Sequence, residues 1–420
     1  MRSTTHFRRG DRWTSAPTIP NVILPRSSAS GGRWVGWGRG DEGAEPLLKE
    51  LWPTGRCHVA LQDGEAECFV ATAAGSVRYL ADELPFSGVT GVVTSRVARR
   101  QGLASRLTAH AVAGEAEAGS LVCGLGCFEQ GFYDRLGFGS LGYEHRLTFD
   151  PAQLLIPDRP RPPARLGPEH RDQVLAARLA RRRGHGSVSF DNPYMSALGT
   201  GPADKTFGLG YFDGPEGALT HFIWLWTDPQ YAVSHCAWQT GAQFRELLGV
   251  LAGLGDQVHA VVMSEPPGVQ MQDLLRQPIK GMNVTKGGTY ECRNHAVADR
   301  QIRILDLPGC LAQTHLCGAP VRLNLALRDP IEPLLDEGHA WRGVGGEYVV
   351  TLGEESSAVP GVQAGLPTLE ASVGAFTRMW LGVRPATGLV ITDDLRGPDD
   401  LLAALDGALL LPDPKPDWDF

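Results

Sequence analysis

Two short segments carry residue types that could handle a charged cosubstrate. In the first, Gly91-Val92-Val93-Thr94 reads as a strand, Ser95 to Ala98 as a loop, and Arg99-Arg100-Gln101-Gly102-Leu103-Ala104 as the entry to a helix. The amides of a first helical turn have no intrahelical acceptor and lie at the positive end of the helix dipole, so they can cradle a pyrophosphate. Gly102 lets a ligand approach the backbone closely, and Ser105 adds a hydroxyl that can cap the helix or meet a phosphate. This is not a Walker loop, because no Gly-Lys-[Ser/Thr] follows. The GxGxxG match at Gly38 to Gly43 lies far upstream with no strand–helix–strand context. Taken alone, the Arg/Gly loop also fits a solvated turn in an Arg-rich chain. The second segment runs Cys127-Phe128-Glu129-Gln130-Gly131-Phe132-Tyr133-Asp134-Arg135-Leu136-Gly137-Phe138-Gly139. A lone aromatic such as Tyr133 is more often packing than chemistry.

Other candidates carry less. His58, His110, His145 and His235 show neither HExxH nor triad-like spacing, and His185-Gly186-Ser187 lacks a nucleophile elbow. Trp224 and Trp226 alternate as sheet residues do. The eight cysteines include no CxxC pair, and near Cys123 and Cys127 only Glu129 could help to hold a metal, so no metal site is expected and buried thiols are. The chain closes with Asp413, Asp417, Trp418, Asp419 and Phe420. With the terminal carboxylate this is an acidic cluster, which would focus a polycation. Large aromatics at a chain end are unusual for a disordered tail.

The elements that must position these residues are legible in outline. Strands are expected at Cys57–Leu61, Cys68–Thr72 and Gly88–Thr94, with a turn at Gln62-Asp63-Gly64-Glu65. A helical period covers Ala104–Ala118, Leu121–Leu125 reads as a buried strand, and Gln130–Leu136 as a short helix. That order favours an α/β domain. A Pro/Arg stretch at 157–168 reads as a connection. Beyond it, a helix at Glu169–Arg183, a hairpin about Asp213–Gly217, a strand at Tyr231–Trp238, a helix at Thr240–Leu254 and a strand at Gln257–Met263 repeat the same plan. A third zone offers strands at Val321–Leu327, Glu347–Leu352 and Leu389–Thr392 and helices at Val373–Leu381 and Pro398–Ala408. The division is therefore 1–54, 55–150, 151–300 and 301–420.

Composition narrows the function. The 420 residues hold 39 Lys+Arg against 47 Asp+Glu, a net charge of −8, which disfavours a nucleic-acid partner. Apolar residues at 42% and charged residues at 20% fit a soluble globular protein. No apolar run reaches the ~18 residues of a membrane span. The Arg-rich start lacks an apolar run and is no signal peptide, so a cytoplasmic location is expected.

The Arg99–Ala104 loop resembles the acetyl-coenzyme A loop of the GNAT acetyltransferase superfamily. The Phe132-Tyr133-x-x-Leu136-Gly137-Phe138 run resembles that superfamily's other hallmark, whose Tyr sits beside the coenzyme sulfur. Over roughly residues 55 to 420 the chain resembles the Eis ("enhanced intracellular survival") family of bacterial aminoglycoside N-acetyltransferases. The phrase Arg303–Pro308 and the aromatic chain end fall where that family would place them.

The resemblance implies an α/β (α+β) chain of two tandem GNAT-like domains followed by a sterol carrier protein-like domain, assembled as trimers paired into hexamers. It implies that Val92, Val93 and Thr94, the Arg99, Arg100, Gln101, Gly102, Leu103, Ala104 and Ser105 loop, and Phe128 and Glu129 line acetyl-CoA. It implies Tyr133 as general acid and the carboxylate of Phe420 as general base, acting on amines of cationic small molecules or on lysine side chains. The central zone departs from the pattern: its junction Cys236-Ala237-Trp238-Gln239-Thr240-Gly241 lacks the Arg/Gly loop, so no coenzyme site is expected there. Residues 1–54 match poorly, with Pro46–Trp52 a candidate acceptor-site helix. A phenol near pKa ~10 is a weak acid for a thiolate near ~8.5, so Tyr133 is expected either to be lowered by a nearby helix N-terminus or to act in concert. The alternative reading is a non-enzymatic carrier that uses an apolar cavity in the third domain and keeps a vestigial coenzyme site.

Overall fold

The computed structural model describes residues 6–7, 11–15, 34–35 and 55–418, apart from 64, 128, 158, 198–199, 201–204, 229 and 279–290. Pro46–Trp52, Phe128, Asp419 and Phe420 thus lie outside the described residues. The described chain is mixed α/β and is built on three sheets.

The first sheet begins with β1 (His6–Phe7), β2 (Asp11–Ser15) and β3 (Trp34–Val35). It continues with β4 (Arg56–Gln62), β5 (Glu65–Tyr79) and β6 (Asp82–Ser95). Helix α1 (Leu103–Glu117) then crosses over to β7 (Val122–Gly126), which runs parallel to β6. Both faces of this sheet are covered. Leu107, Ala111 and Val112 of α1 pack with Ala60, Val70, Val89 and Leu125 on one side. Phe69, Val77 and Phe86 pack with Phe190, Ile302, Trp380 and Trp418 on the other. Burial on both faces explains why these strands read as apolar runs, not as alternations. It also explains why β5 is longer than the expected Cys68–Thr72: its small-residue half, Ala73 to Tyr79, carries little periodic signal.

The second sheet runs in the order Ala164–Leu166, Thr206–Tyr211, His221–Trp226, Tyr231–Ala237, Val261–Ser264, Glu144–Phe149, Arg293–Val297. Its membership does not follow positions 150 and 300. Glu144–Phe149 pairs with Val261–Ser264 and Arg293–Val297, whereas Arg300–Ile304 joins the first sheet beside β7 and Gly139–Ser140. Strands exchanged between neighbouring sheets have no linear signature. The third sheet holds Ser357–Pro360, Gly346–Leu352, Val321–Arg328, Thr368–Ser372 and Leu395–Arg396. Its core is filled by Leu325, Leu369, Phe376 and Trp380, each 1% exposed or less. The expected strand Leu389–Thr392 is part of a helix, Ala386–Thr392. Ala386 and Leu389 are buried while Ile391 is 84% exposed, an i, i+3 pattern that outweighs the β-branched composition.

Tyr79 ties the first sheet to the third region: its ring stacks on Trp380 at 4.6 Å and its hydroxyl donates to the Trp380 carbonyl. No disulfide joins the eight cysteines. Among the described residues no helix is long and apolar enough to cross a membrane.

Candidate active site

Helix α1 starts without a cap. Gly102, its N-cap, adopts φ 79° and offers no side-chain acceptor to the first-turn amides. The first intrahelical bond is Arg106 N–H to the Gly102 carbonyl, so the amides of Leu103, Ala104 and Ser105 precede the helical ladder. Arg100 also has a positive φ, 62°, a conformation that non-glycine residues adopt rarely. Left-handed residues before a helix turn successive N–H groups toward one concavity, the geometry of an anion nest. A Cβ built on Gly102 would meet nothing within 4 Å, so the space in front of the nest is open to a ligand. Arg99 and Arg100 are exposed beside it, together with Arg96. Gln101 is held instead: its amide donates to the Val97 carbonyl and its Oε1 accepts from Gln62. Below the loop Ser95 Oγ donates to buried Glu67 and accepts from the Ala98 amide, fixing the exit of β6.

The central zone offers a control for this reading. Its helix Gly241–Ala252 begins with a capping box. Thr240 accepts from the Gln243 amide, and Gln243 Oε1 accepts from the Gln239 and Thr240 amides. Those donors are already satisfied, and Trp238 is buried behind them. Of these two helix starts, α1 is the one that is uncapped and has the exposed guanidinium groups of Arg99 and Arg100 beside it.

Beside α1 the sheet opens. The β6–β7 ladder covers only Phe86↔Val122 to Val89↔Leu125, although β6 continues to Ser95. A β-bulge interrupts the β5–β6 register between Ala71↔Gly91 and Thr72↔Val89, leaving Thr90 as the extra residue. Past the bulge β6 leaves β7, and among the described residues that edge is met again only at Thr94 and Ser95, by β3. Among the described residues Gly91 to Val93 thus present N–H and C=O groups on an open edge, into which an extended amide-bearing ligand can pair. The bulge and the wedge are invisible in the sequence, because register is a property of pairs of strands. Val92 and Val93 point to opposite faces, toward the α1 core and the third-region core. The Thr94 hydroxyl meets Cys68 Sγ at 3.4 Å.

Tyr133 stands on the α1 side of this wedge, half-buried among Phe132 and Phe138. Its segment is pinned from below. Arg303, fully buried, donates to the Leu136 carbonyl and pairs with Asp329 at 2.5 Å. Gln301 donates to Asp134 at 2.8 Å. Gly137 takes φ 79°, and a Cβ there would lie 2.5 Å from Val373 and 2.9 Å from Arg303. The Phe-Tyr-x-x-Leu-Gly-Phe run therefore needs glycine for both conformation and space. Sequence reasoning flagged Arg303 only as part of a phrase; its role as the buried bolt under Tyr133 needs the fold. Burial, with the Cys127 and Cys68 thiols nearby, pushes the Tyr133 phenol up to about 12. The phenol is thus raised by burial against Phe132 and Phe138, not lowered as expected from a helix N-terminus. Glu129 is exposed just past β7.

The chain end returns from the third region to the seam between the first two sheets. Trp418 is 2% exposed; Arg178 lies 3.6 Å above its ring and its indole N–H donates to the Met195 carbonyl. Asp417 takes two bonds from Arg181, at 2.7 and 2.9 Å, and one from Ser187. Lys415 meets Glu265 at 3.7 Å. Met195 also lines a small void shared with Thr90, the bulge residue of β6. The tail up to Trp418 thus closes on the bulge from the face opposite α1. A cleft of about 420 Å³ opens beside the tail, between Asp299 and Arg300 on one side and Trp238 and Glu265 on the other. Of the expected acidic cluster, Asp413 is exposed and Asp417 is not open, while Asp419 and Phe420 lie outside the described residues. Asp417 is neutralised by Arg181, and in the cleft Arg146 holds both Glu144 and Asp299 at 2.9 Å.

Comparison with known proteins places this geometry. Residues 36–141 match the acetyltransferase (GNAT) domain family. No curated protein matches the sequence. Among solved structures, Eis1 from Mycobacterium abscessus superposes with TM-score 0.71 at 15% identity, covering 100% of both chains. A GCN5-related N-acetyltransferase from Kribbella flavida gives 0.74 at 17% identity, over 98% of this chain and 99% of that one. A probable N-acyltransferase from Enterococcus faecalis V583 gives 0.74 at 16% identity, over 98% of each. The two α/β sheets and the third region are thus one recurring architecture.

Proposed function

We propose that this chain, an acyltransferase by its acetyltransferase (GNAT) domain, moves an acetyl group from acetyl-CoA to a primary amine. The observation that carries the reading is the wedge between β6 and β7, which opens beside the uncapped start of α1 and has Tyr133 at its side. The amides of Gln101, Gly102, Leu103, Ala104 and Ser105 and the guanidinium groups of Arg99 and Arg100 would hold the pyrophosphate. The edge of Val92, Val93 and Thr94 would pair with the pantetheine amides, and Phe128 and Glu129 would line the mouth. Acetyl-CoA supplies the acetyl group as a thioester.

The residues then have three tasks. The amine must be delivered as the free base; its nitrogen bonds to the carbonyl carbon, and the carbon–sulfur bond breaks. Tyr133 gives its proton to the leaving sulfur as that bond breaks. The nitrogen's proton passes, directly or through water, to the carboxylate of Phe420. A carboxylate is too weak a base to deprotonate a free ammonium, but it suffices once attack has made the nitrogen acidic. The burial of Trp418 against the bulge face of β5 and β6 supports this role.

The acceptor is an amine of a cationic small molecule, with a lysine side chain as the second class. The cleft has the size of a small-molecule site. Its acids are already paired, so a cationic amine would enter by exchange with Arg146 or Lys415 and not by falling into a bare acidic field. The third region as a sterol carrier-like domain, trimers paired into hexamers and a cytoplasmic location complete this reading.

Titration of coenzyme A into the full chain tests it. Two exposed guanidinium–phosphate contacts at about 0.5–1 kcal/mol each amount to about 1–2 kcal/mol. Arg99→Ala with Arg100→Ala should therefore weaken coenzyme A about 5- to 30-fold with unchanged thermal stability. Equal affinity in wild type and double variant would remove the loop from the site.

A further inference from the structure

Helix α1 has a second functional end. Two turns below the coenzyme nest, His110 faces a loop of the third region that carries Asp336 and His339. The ligand atoms of His110, Asp336 and His339 all lie within 4.8 Å of one another. His110 Nδ1 and His339 Nε2 approach to 2.6 Å. The other nitrogen of His339, Nδ1, faces Glu117 Oε1 at 3.3 Å. A carboxylate behind the outer nitrogen of an imidazole is the arrangement that fixes tautomer and orientation in metal-binding histidines. Glu117 is itself fixed, because it accepts the Ala340 and Trp341 amides.

The neighbours strengthen the case. The Asp336 carboxylate accepts the Gly338 amide, and its backbone carbonyl accepts from Arg342 at 2.6 Å. His58 on β4 stands edge-on to His110 at 5.1 Å; it is 6% exposed, and neither ring nitrogen has a hydrogen-bond partner. A second group of similar composition, Asp213, His221 and Glu246, shows the contrast. There Arg161 bridges both carboxylates at 2.7 to 3.1 Å, so the positive charge is already supplied by the protein.

We infer that His110, Asp336 and His339 bind one divalent transition-metal ion of the zinc class, which clips the third region to α1. Two imidazoles and one carboxylate are a borderline-soft nitrogen–oxygen set that suits zinc and leaves a fourth position for water. Bonds of 2.0–2.1 Å in a tetrahedron put two ligand nitrogens about 3.3 Å apart. The two rings would thus part by about 0.7 Å, a side-chain adjustment at a half-buried site. The inference does not depend on acetyl transfer, and its assay reads metal and not turnover.

The test uses the full chain, stripped with a chelator and titrated with zinc chloride by calorimetry. Cobalt(II) absorption serves as a second readout, because it reports coordination geometry. One equivalent per chain is expected. His339→Gln and Asp336→Asn should each weaken zinc at least tenfold, and Glu117→Gln about 10- to 100-fold through the outer carboxylate. His295→Gln, at an exposed strand position, should leave the affinity unchanged. Asp336→Asn changes only a loop side chain, so it keeps the test sound if a histidine variant folds poorly. No zinc bound at micromolar concentration would overturn the inference, as would binding that His339→Gln and Asp336→Asn leave unchanged.

Discussion

Replacing Tyr133 by Phe removes one hydroxyl from the side of the β6–β7 wedge and leaves the ring packed between Phe132 and Phe138. With its phenol raised to about 12 against a thiol near ~8.5, complete proton transfer to a free thiolate runs uphill by several kcal/mol. A separate transfer step would therefore be slow, and the proton must move while the carbon–sulfur bond is breaking and the sulfur is only partly anionic. General acid catalysis of that kind is typically worth ~10²–10⁴ in rate. The assay is thiol release from acetyl-CoA with a saturating amine, between pH 6.5 and 10.5. The sign follows from the raised value: the phenol keeps its proton throughout that window. Wild-type turnover should climb as the amine loses its proton and should not fall before pH 10.5. The Phe variant should follow the same shape, lower by a roughly constant ~10²–10⁴, with coenzyme affinity unchanged. A wild-type decline between pH 8 and 10 that the variant lacks would refute the raised phenol. Equal rates at every pH would reduce Tyr133 to packing.

Three further outcomes follow. Asp417→Ala leaves Arg181 buried without its carboxylate and should cost about 3–5 kcal/mol. Burial alone would raise the Asp417 pKa, but the Arg181 charge and the bonds from Arg181 and Ser187 hold it below the ordinary carboxylate value. Its stabilising share is therefore complete above that ordinary value and lost as pH falls through the depressed one, an acid-side loss in thermal melts that Asp417→Asn should lack. Gly137→Ala forces a Cβ against Val373 at positive φ; it should lower turnover more than coenzyme affinity, and unchanged turnover would mean that the Tyr133 segment is not held by this contact. A few residues added after Phe420 should abolish acetyl transfer while coenzyme binding and melting temperature stay as they were; full activity in the extended chain would turn attention to Glu129 as the base.

Much of the site was legible because its signals are local. A strand, an Arg/Gly turn and a helical period lie within 30 residues, and a helix start exposes amides whatever the rest of the fold does. The missing Arg/Gly loop before Thr240 was legible in the same way, whereas the capping box that closes that helix start emerges only from the structure. What escaped depends on distant pairing. The bulge at Thr90 exists only in the register of β6 on β5. Arg303 acts through Leu136 and Asp329, 167 and 26 residues away. His110 and His339 meet across 229 residues, so no spacing rule could join them. The exchange of Glu144–Phe149 and Arg300–Ile304 between sheets defeated linear boundaries for the same reason. The Leu389–Thr392 segment failed differently: its β-branched composition spoke for a strand, while burial of Ala386 and Leu389 alone required a helix.

The most direct test of the central claim is acetyl transfer itself. The full chain, incubated with acetyl-CoA and a panel of cationic primary amines, is followed by mass spectrometry of the amines alongside thiol release. The wedge beside α1 predicts at least one amine that gains a single acetyl group in step with the thiol released, and loss of both signals in Tyr133→Phe. Tight coenzyme binding without acetylation of any amine, or of added lysine peptides, would contradict it and return the chain to the carrier reading.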